Sequence, residues 1–255
     1  AAGFANVSVD LMAGVPGETA EGFARGVAEV AACGVEHVSL YALQVESGTP
    51  FAAKAARGAL AIPPDDVAAA RYEAAARILS GTGGGAGAGD GGAGYHRYEV
   101  SNWARPGFES RHNQGYWVRR PYLGLGPGAH SFDGARRWGN EEHVTRYFER
   151  LESGLLPRDG VRSVGESEAR EEAVFLGLRR ARGIRQSAVE RAAPGAADGW
   201  ARWAEAAGAV RRDLPGRIRP TEHGLMTGVE AAAELFARAA AGAGRGRLDS
   251  LAERC

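Results

Sequence analysis

The chain has 255 residues, and its 31 basic and 31 acidic residues leave no net charge. This balance argues against a protein that binds nucleic acid or an anionic membrane through its overall charge. The two cysteines, Cys33 and Cys255, have neither a metal-type spacing nor a disulfide framework, which indicates a reducing compartment. No apolar run approaches the roughly 20 residues of a membrane-spanning helix, so no integral membrane segment is expected.

The N-terminal region predicts a strand, a helix and a second strand. The segment NVSVDLM (6–12) alternates apolar and polar residues, as a half-buried strand does. Thr19 is placed as the N-cap of a helix that ends at Gly34. The segment VEHVSLYAL (35–43) is predicted as the next strand. Strands joined through a helix in this order are expected to be parallel.

A glycine-dense segment follows the next predicted helix, which runs from Asp65 to Leu79. Residues 80–94 read SGTGGGAGAGDGGAG. Glycine at this density cannot hold a packed conformation against its backbone entropy, so we expect a disordered insertion. A phosphate-binding loop follows a strand and opens a helix, whereas this segment follows a helix. We therefore assign it no function.

The middle and C-terminal parts mix extended and helical patterns. The segment YHRYEVSNW (95–103) is predicted as a strand, and HNQGYW (112–117) and YLGLGPGAHSF (122–132) as extended segments separated by turns. From Asn140 onward the pattern becomes helical. The segment GRIRPTEHGL (216–225) predicts a short hairpin or wing before a last helix.

Asp10 is the first candidate for a functional residue. We predict that it lies at the end of its strand, where ligand sites collect in parallel α/β folds. A carboxylate there can accept two hydroxyl hydrogen bonds from a ribose. It can equally cap the backbone of the following Gly-Pro-Gly turn. Gln44 ends the neighbouring strand and is predicted to face the same way, although such an amide is as typical of a solvated loop.

Two histidine-containing segments provide the other candidates. His130 follows GLGPGA, whose glycines let the backbone approach a ligand, or else make a twisted strand beside a locally bonded histidine. His112, Asn113, Tyr116 and Trp117 are the most distinctive cluster. An imidazole can ligate haem iron and an aromatic pair can cover a porphyrin face, while the alternative is a turn histidine with two core aromatics. The remaining histidines are predicted at surfaces or helix edges: His37, His96, His143 and His223.

Four segments carry a family resemblance. They are VSVDLMAGVPGET, HVSLYALQVESGTPF, YEVSNWARPGFESRHNQGYW and YLGLGPGAHSF. In this order they resemble the radical SAM enzymes related to oxygen-independent coproporphyrinogen III oxidase. The His-Asn-x-x-Tyr-Trp stretch is similar to the HemW-type, haem-chaperone branch of that family. Residues 4–79 and 94–151 fit closely, and the later helices fit more loosely.

The resemblance implies a fold and a set of binding residues. The implied fold class is α/β: residues 1–150 would form the C-terminal portion of a partial (β/α) radical SAM barrel, and residues 151–255 a small, mainly helical, winged-helix-like domain. Asp10, Gln44 and His130 fall on positions near S-adenosylmethionine. The resemblance assigns four residues to haem, with His112 as a ligand of the haem iron: His112, Asn113, Tyr116 and Trp117.

The sequence also departs from the family pattern. The Cys-x-x-x-Cys-x-x-Cys loop that holds a 4Fe-4S cluster does not occur, and a Gly-rich adenosylmethionine-binding segment is missing. We therefore expect that the chain lacks the N-terminal cluster-binding part of the family, or is a gene fragment, and that it performs no radical chemistry as written. A cytoplasmic location is expected, or a mitochondrial or plastid one if a targeting peptide precedes residue 1.

Three functional hypotheses follow. The first is a haem chaperone that passes haem to an acceptor protein, with S-adenosylmethionine and a 4Fe-4S cluster in the complete protein. The alternative is an oxygen-independent coproporphyrinogen III oxidase, which decarboxylates propionate side chains by radical chemistry. A third is a winged-helix DNA binder in residues 160–255, where LRRARGIRQ is arginine-rich. Arginines at a helix C-terminus complement its dipole, and interspersed acids argue against a surface that follows phosphates.

Overall fold

The computed structural model describes residues 3–81 and 94–243. Contacts divide the chain into two compact units, Ala1–Glu109 and Ser110–Cys255. Residues 110–150, which the resemblance assigns to the barrel portion, therefore lie in the second unit. Most of the predicted glycine-rich insertion, and Cys255, lie outside the described residues. Within the described part of the chain, no helix is long and apolar enough to cross a membrane.

The first unit contains a four-stranded sheet with helices packed on it. Its elements in chain order are β1 (Ser8–Ala13), α1 (Ala20–Cys33), β2 (His37–Ala42), α2 (Pro50–Ala56), α3 (Asp65–Leu79), β3 (His96–Glu99) and β4 (Asn102–Ala104). The strand order is β1-β2-β4-β3. Strands β1 and β2 are parallel, which confirms the predicted strand–helix–strand unit, and the β2–β4 and β3–β4 pairs are antiparallel.

Local signals fix helix α1 as the sequence predicts. The Thr19 hydroxyl accepts a hydrogen bond from the Gly22 N–H at 3.0 Å. Gly34 ends the helix in the left-handed region, with φ of 73°, which a residue without Cβ adopts at little cost. The helix buries Phe23 and Val27 in a core that includes Leu40 of β2 and Trp103 of β4.

The segment YHRYEVSNW was wrongly predicted as one strand. It forms the hairpin β3–β4, whose chain reverses at Val100 and Ser101. Side chains fix this reversal where a glycine or proline would normally do so. The Tyr72 hydroxyl donates to the Val100 carbonyl at 2.6 Å, and Arg97 Nη2 donates to the same oxygen at 2.5 Å. Arg97 lies in the hairpin itself, whereas Tyr72 comes from α3, 28 residues away, so part of what fixes the turn is not visible in the local sequence.

The second unit contains two three-stranded antiparallel sheets and seven helices among its described residues. Its elements in chain order are α4 (Arg111–Trp117), β5 (His130–Phe132), β6 (Arg136–Asn140), α5 (Val144–Glu152), β7 (Arg158–Ser163), α6 (Glu166–Leu178), β8 (Ile184–Arg185), α7 (Gln186–Ala192), α8 (Ala197–Ala206), β9 (Val210–Arg211), β10 (Arg217–Pro220), α9 (Glu222–Met226) and α10 (Gly228–Ala243), of which α9 is a short turn of helix. The sheet orders are β5-β6-β7 and β8-β10-β9.

The core of the second unit is helical. Trp200 of α8 is fully buried, and its indole N–H donates to the Ala231 carbonyl of α10 at 2.7 Å. Val174 of α6 and Leu235 of α10 belong to the same cluster. The segment GRIRPTEHGL, predicted as a short hairpin or wing, contributes one strand, β10, which pairs with β8 and β9 from earlier in the chain, and its remainder begins α9. The arrangement of helices with a small sheet positions α6, which carries much of the site described below.

Candidate functional site

One face of the first unit's sheet carries a row of polar side chains. Asp10 is the register partner of Ser39, Ser39 of Asn102, and Asn102 of Glu99. Partners across a ladder share a face of the sheet, so these four residues, the polar row, lie on the face opposite Val38 and Leu40. Ser39, Asn102 and Glu99 are buried, whereas Asp10 is exposed. The sheet therefore packs its apolar face on the helices and presents a polar face on the other side.

His37 lies on the same polar face and belongs to a hydrogen-bonded network. Its Nδ1 lies 2.9 Å from the Ser8 hydroxyl, and its Nε2 lies 2.8 Å from the Tyr98 hydroxyl. Burial lowers the pKa of His37 below its ordinary value of 6.5, and the charge of Asp10 opposes this shift. The prediction that His37 is a surface residue is wrong, since it is only 6% exposed. Its partner Tyr98 is 61 residues away in sequence, which no local pattern reveals.

The structure corrects the predicted position of Asp10. Asp10 lies inside β1, which continues to Ala13, and not at the strand end. The turn that follows is capped by Glu18, whose carboxylate accepts from the Gly14 N–H at 3.0 Å and pairs with Arg71 at 3.3 Å. The turn-capping interpretation of Asp10 is therefore wrong. Among the described residues, no hydrogen bond or ion pair uses the Asp10 carboxylate.

Gln44 and His130 do not join the polar row. Gln44 is exposed and lies beyond the end of β2, outside the paired register that aligns the row. His130 is the exposed first residue of β5, in the second unit. The glycine at 124 is needed for the fold itself, because a Cβ there would lie 2.2 Å from the His130 carbonyl oxygen. At this position the missing Cβ therefore lets the backbone approach strand β5 of the same chain, and not a ligand.

The HNQGYW segment is helix α4, so its prediction as an extended segment was wrong. The Ser110 hydroxyl accepts from the Asn113 N–H at 3.2 Å and caps the helix. The four-residue spacing places His112 and Tyr116 on one face, where their rings meet edge-on at 4.6 Å between centroids. The Tyr116 ring in turn meets the Tyr122 ring at 4.7 Å. Seven residues give too short a window for a helical period to be read from sequence.

A cavity of about 860 Å³ lies within the second unit beside α4. This volume is within the roughly 300–1,000 Å³ of small-molecule sites. Its apolar wall is mainly aromatic: Tyr116, Trp117, Tyr122, Phe132, Phe175 and Phe236. Tyr116 and Trp117 of the candidate haem residues thus line it. His112 and Asn113 do not, although the exposed His112 ring contacts Tyr116.

Arginines and glutamates form the polar wall of this cavity. Glu172 of α6 pairs with both Arg119, at 2.6 Å, and Arg137. The guanidinium carbons of these two arginines lie 5.0 and 4.8 Å from the centroid of the Phe132 ring. Cations at such distances are attracted by an aromatic face. Arg119 and Arg137 are thereby held in place by one carboxylate and one ring.

Four buried N–H donors in this wall have no hydrogen-bond partner among the described residues. They are Trp117 Nε1, Arg119 Nη2, Arg137 Nε and Arg179 Nε. All four residues line the cavity. A buried donor without a partner costs free energy, and native proteins seldom leave several together. Four unpartnered donors therefore belong to side chains that line the cavity.

The structure allows a direct check of which cofactors these residues fit. Two cysteines, one of them exposed on α1, cannot supply the thiolates of a 4Fe-4S cluster. In residues 3–81 and 94–243, no group of three or more His, Cys, Asp or Glu side chains is arranged so that it could hold a metal ion. The arginine-lined aromatic cavity, in contrast, suits a flat apolar molecule that carries anionic groups.

Comparisons with known proteins agree with the resemblance. The chain is 43% identical over 194 residues to "Heme chaperone HemW" of Mycobacterium tuberculosis, which covers 75% of this chain and 47% of the relative. It is 35% identical over 182 residues to "Heme chaperone HemW" of Bacillus subtilis, covering 71% of this chain and 45% of the relative. The chain thus spans about half the length of these curated relatives. No protein-family model matches it.

A solved structure confirms the predicted fold class. The structure of coproporphyrinogen III oxidase (HemN) from Escherichia coli, described as a radical SAM enzyme, matches with a TM-score of 0.66 and 19% identity. The match covers 92% of this chain and 55% of that one. At this identity the likeness shows the fold alone, an α/β architecture consistent with part of a barrel.

Proposed function

The chain is a sequence relative of HemW-type members of the radical SAM family, over part of their length, and from this we propose that it belongs to a haem chaperone. Such a protein binds haem and passes it to an acceptor protein. The observation that carries the proposal is the position of Tyr116 and Trp117. These two residues of the His-Asn-x-x-Tyr-Trp stretch line a cavity whose size and aromatic wall suit a porphyrin.

The four residues of this stretch have separate proposed roles. Trp117 and Tyr116 would cover the porphyrin with their apolar faces. His112 would offer its imidazole to the haem iron, since its exposed ring leaves the ring nitrogens accessible. Asn113 supports the site through its backbone, because its N–H is bonded to Ser110 in the helix cap.

The first unit supports a separate proposal, for S-adenosylmethionine. Asp10 offers a carboxylate with two acceptor oxygens to the hydroxyl groups of a ribose. Gln44 and His130 are assigned to the same cofactor by the resemblance alone. A 4Fe-4S cluster does not fit the cysteines of this chain, and no radical step is assigned to its residues. The cytoplasmic location, with its mitochondrial or plastid alternative, stays a prediction.

The other two functional hypotheses have less support. The likeness to the E. coli coproporphyrinogen oxidase extends to the fold only, at 19% identity, whereas the curated relatives carry the chaperone name. In the proposed DNA-binding region, Arg217 and Arg219 donate to the backbone carbonyls of residues 181–183. These arginines therefore stabilise the loop after α6, which favours a structural role for them.

Haem titration of the full chain, followed by visible absorption, tests the proposal. We expect a saturable band for the wild-type chain and a weakened, shifted band for His112→Ala, because the iron loses a nitrogen ligand. His143→Ala, which removes another exposed histidine of the second unit, is the matched control and should leave the band unchanged. Identical bands in all three proteins would remove His112 as the ligand. A wild-type chain that binds no haem would overturn the proposed function.

A further inference from the structure

The charges of the cavity leave one arginine without a counter-ion. Four arginines and three glutamates line it: Arg119, Arg137, Arg162 and Arg179, with Glu168, Glu171 and Glu172. Glu172 holds Arg119 and Arg137, and Arg162 pairs with Glu168 at 2.7 Å. The carboxylate of Glu171 accepts from the Ser167 hydroxyl at 3.0 Å. Arg179 makes no ion pair among the described residues.

Arg179 is nevertheless held in a defined position. Its guanidinium carbon lies 4.8 Å from the centroid of the Trp117 ring, which is a stacked arrangement. Its Nε is buried and lacks a partner, as does the indole Nε1 of Trp117. Two donors on stacked side chains, one of them cationic, thus lie in the same cavity wall. Arg179 as a whole is half-buried, and the desolvation of its buried Nε donor is uncompensated without a partner.

We propose that Arg179 and Trp117 form a carboxylate-binding corner of the cavity, which takes one anionic side arm of a flat, apolar ligand. Arginine binds carboxylates through several charge-assisted hydrogen bonds, and the indole N–H adds another donor. The aromatic wall covers the body of the ligand, while the corner sets the direction of its arm. The inference rests on the proposed function for the identity of the ligand: if the ligand is haem, the anionic side arm is a propionate.

Porphyrin esterification provides a direct test that does not depend on iron. Binding of iron-free protoporphyrin IX and of its dimethyl ester to the full chain is measured by fluorescence in one detergent-containing buffer. The ester keeps the flat ring but has no carboxylate. We expect the wild-type chain to bind the free acid about tenfold to hundredfold more tightly than the ester, as for a lost charged hydrogen bond. In Arg179→Met this ratio should fall by about tenfold or more, with ester binding unchanged.

Matched variants separate the possible outcomes. Arg162→Met removes another arginine of the same cavity, one that is 45% exposed and paired with Glu168, and should keep the wild-type ratio. Arg179→Lys keeps the charge without the Nε donor and should keep part of the ratio. If both porphyrins bind and Arg179→Met and Arg179→Lys discriminate as well as the wild type, the carboxylate-binding corner is wrong. If neither porphyrin binds the folded wild-type chain, the proposed function itself fails.

Discussion

The polar row of the first unit and the cavity of the second unit offer opposite hydrogen-bonding groups. In the polar row the buried Asn102 Oδ1 atom, an acceptor, has no partner among the described residues, and the exposed Asp10 carboxylate takes part in no hydrogen bond or ion pair there. In the cavity the corresponding groups are donors, the N–H groups of Trp117 and three arginines. A site of acceptors suits a ligand rich in hydroxyl or ammonium groups, and a site of donors suits carboxylates.

This contrast teaches that one chain carries two chemically distinct surfaces. The difference is not visible in the net charge, which is zero for the whole chain. The difference follows from the ion pairs: Glu172 and Glu168 pair with arginines. Arg179 makes no ion pair among the described residues. By this chemistry the first surface suits a sugar or amino group, and the second suits a carboxylate, which is what the proposed function requires.

The largest expected effect comes from the carboxylate that holds two cavity arginines. Glu172→Gln leaves Arg119 and Arg137 without a counter-ion. We expect the free energy of unfolding to fall by roughly 2 to 3 kcal/mol, below the cost of about 3 to 5 kcal/mol for fully buried pairs. The expected loss is smaller than for fully buried pairs because the side chains are partly exposed: Arg119 by 16%, Glu172 by 20% and Arg137 by 27%. Urea unfolding of the wild-type chain and of Glu172→Gln measures this change in the free energy of unfolding.

The control for this exchange lies on the same helix. Glu166 pairs with Arg170 and its side chain is 81% exposed. Glu166→Gln should change the unfolding midpoint little, as exposed ion pairs do. Equal effects of the two exchanges would show that the Glu172 pairs are not structural.

The second prediction concerns pH and the first unit. The pKa of His37 is below 6.5 in the folded chain, because burial disfavours the charged ring more than Asp10 favours it. Just below pH 6.5 the unfolded chain thus binds more protons, so stability is lost as the pH falls and is regained as it rises. The slope from this group cannot exceed about 1.4 kcal/mol per pH unit.

Urea midpoints between about pH 5 and about pH 8 measure this slope. His37→Asn should flatten it. A slope that persists in His37→Asn would assign the titration to another group.

The third prediction tests whether the cap of α4 supports the cavity. Ser110→Ala removes the hydroxyl that accepts from the Asn113 N–H and should cost about 1 kcal/mol. Because Tyr116 and Trp117 lie in this helix, protoporphyrin binding should weaken as well. Ser110→Asp restores a capping oxygen and should retain both stability and binding. Unchanged binding in Ser110→Ala would mean that the helix end is held by other contacts.

The smallest expected change in stability comes from Arg179→Met. It loses the stacking on Trp117 but also removes a buried donor that has no partner. The free energy of unfolding should change by less than about 1 kcal/mol, although discrimination between porphyrin acid and ester falls. Arg137→Met, the same exchange at a paired arginine, should destabilise the chain clearly more. Comparable losses in the two variants would make Arg179 a structural residue.

The parts of the fold that were predicted correctly rest on local signals. Strand alternation, the Thr19 cap and the Gly34 stop lie within a few residues of the elements that they define, and these elements were confirmed. The β3–β4 turn and helix α4 were missed for the opposite reason. The turn depends on Tyr72, which is 28 residues away from Val100, and α4 is too short to show a period.

The site was only partly predictable for a related reason. Residue types pointed to Tyr116 and Trp117, which line the cavity, and to Asp10, which stands in the polar row. The polar wall of the cavity depends on an ion pair between Arg119 and Glu172, which are 53 residues apart in sequence. The hydrogen bond between His37 and Tyr98 spans 61 residues. Such partners become neighbours only in the folded chain.

Hydrogen–deuterium exchange of the full chain, with and without ferric haem, tests the central claim that the donor-lined cavity of the second unit takes the tetrapyrrole. We expect slower exchange in helix α4, and from Glu172 in α6 to Arg179 just after it, when haem is present, with β1 and β2 unchanged. Protection confined to β1 and β2, with α4 exchanging as before, would contradict it.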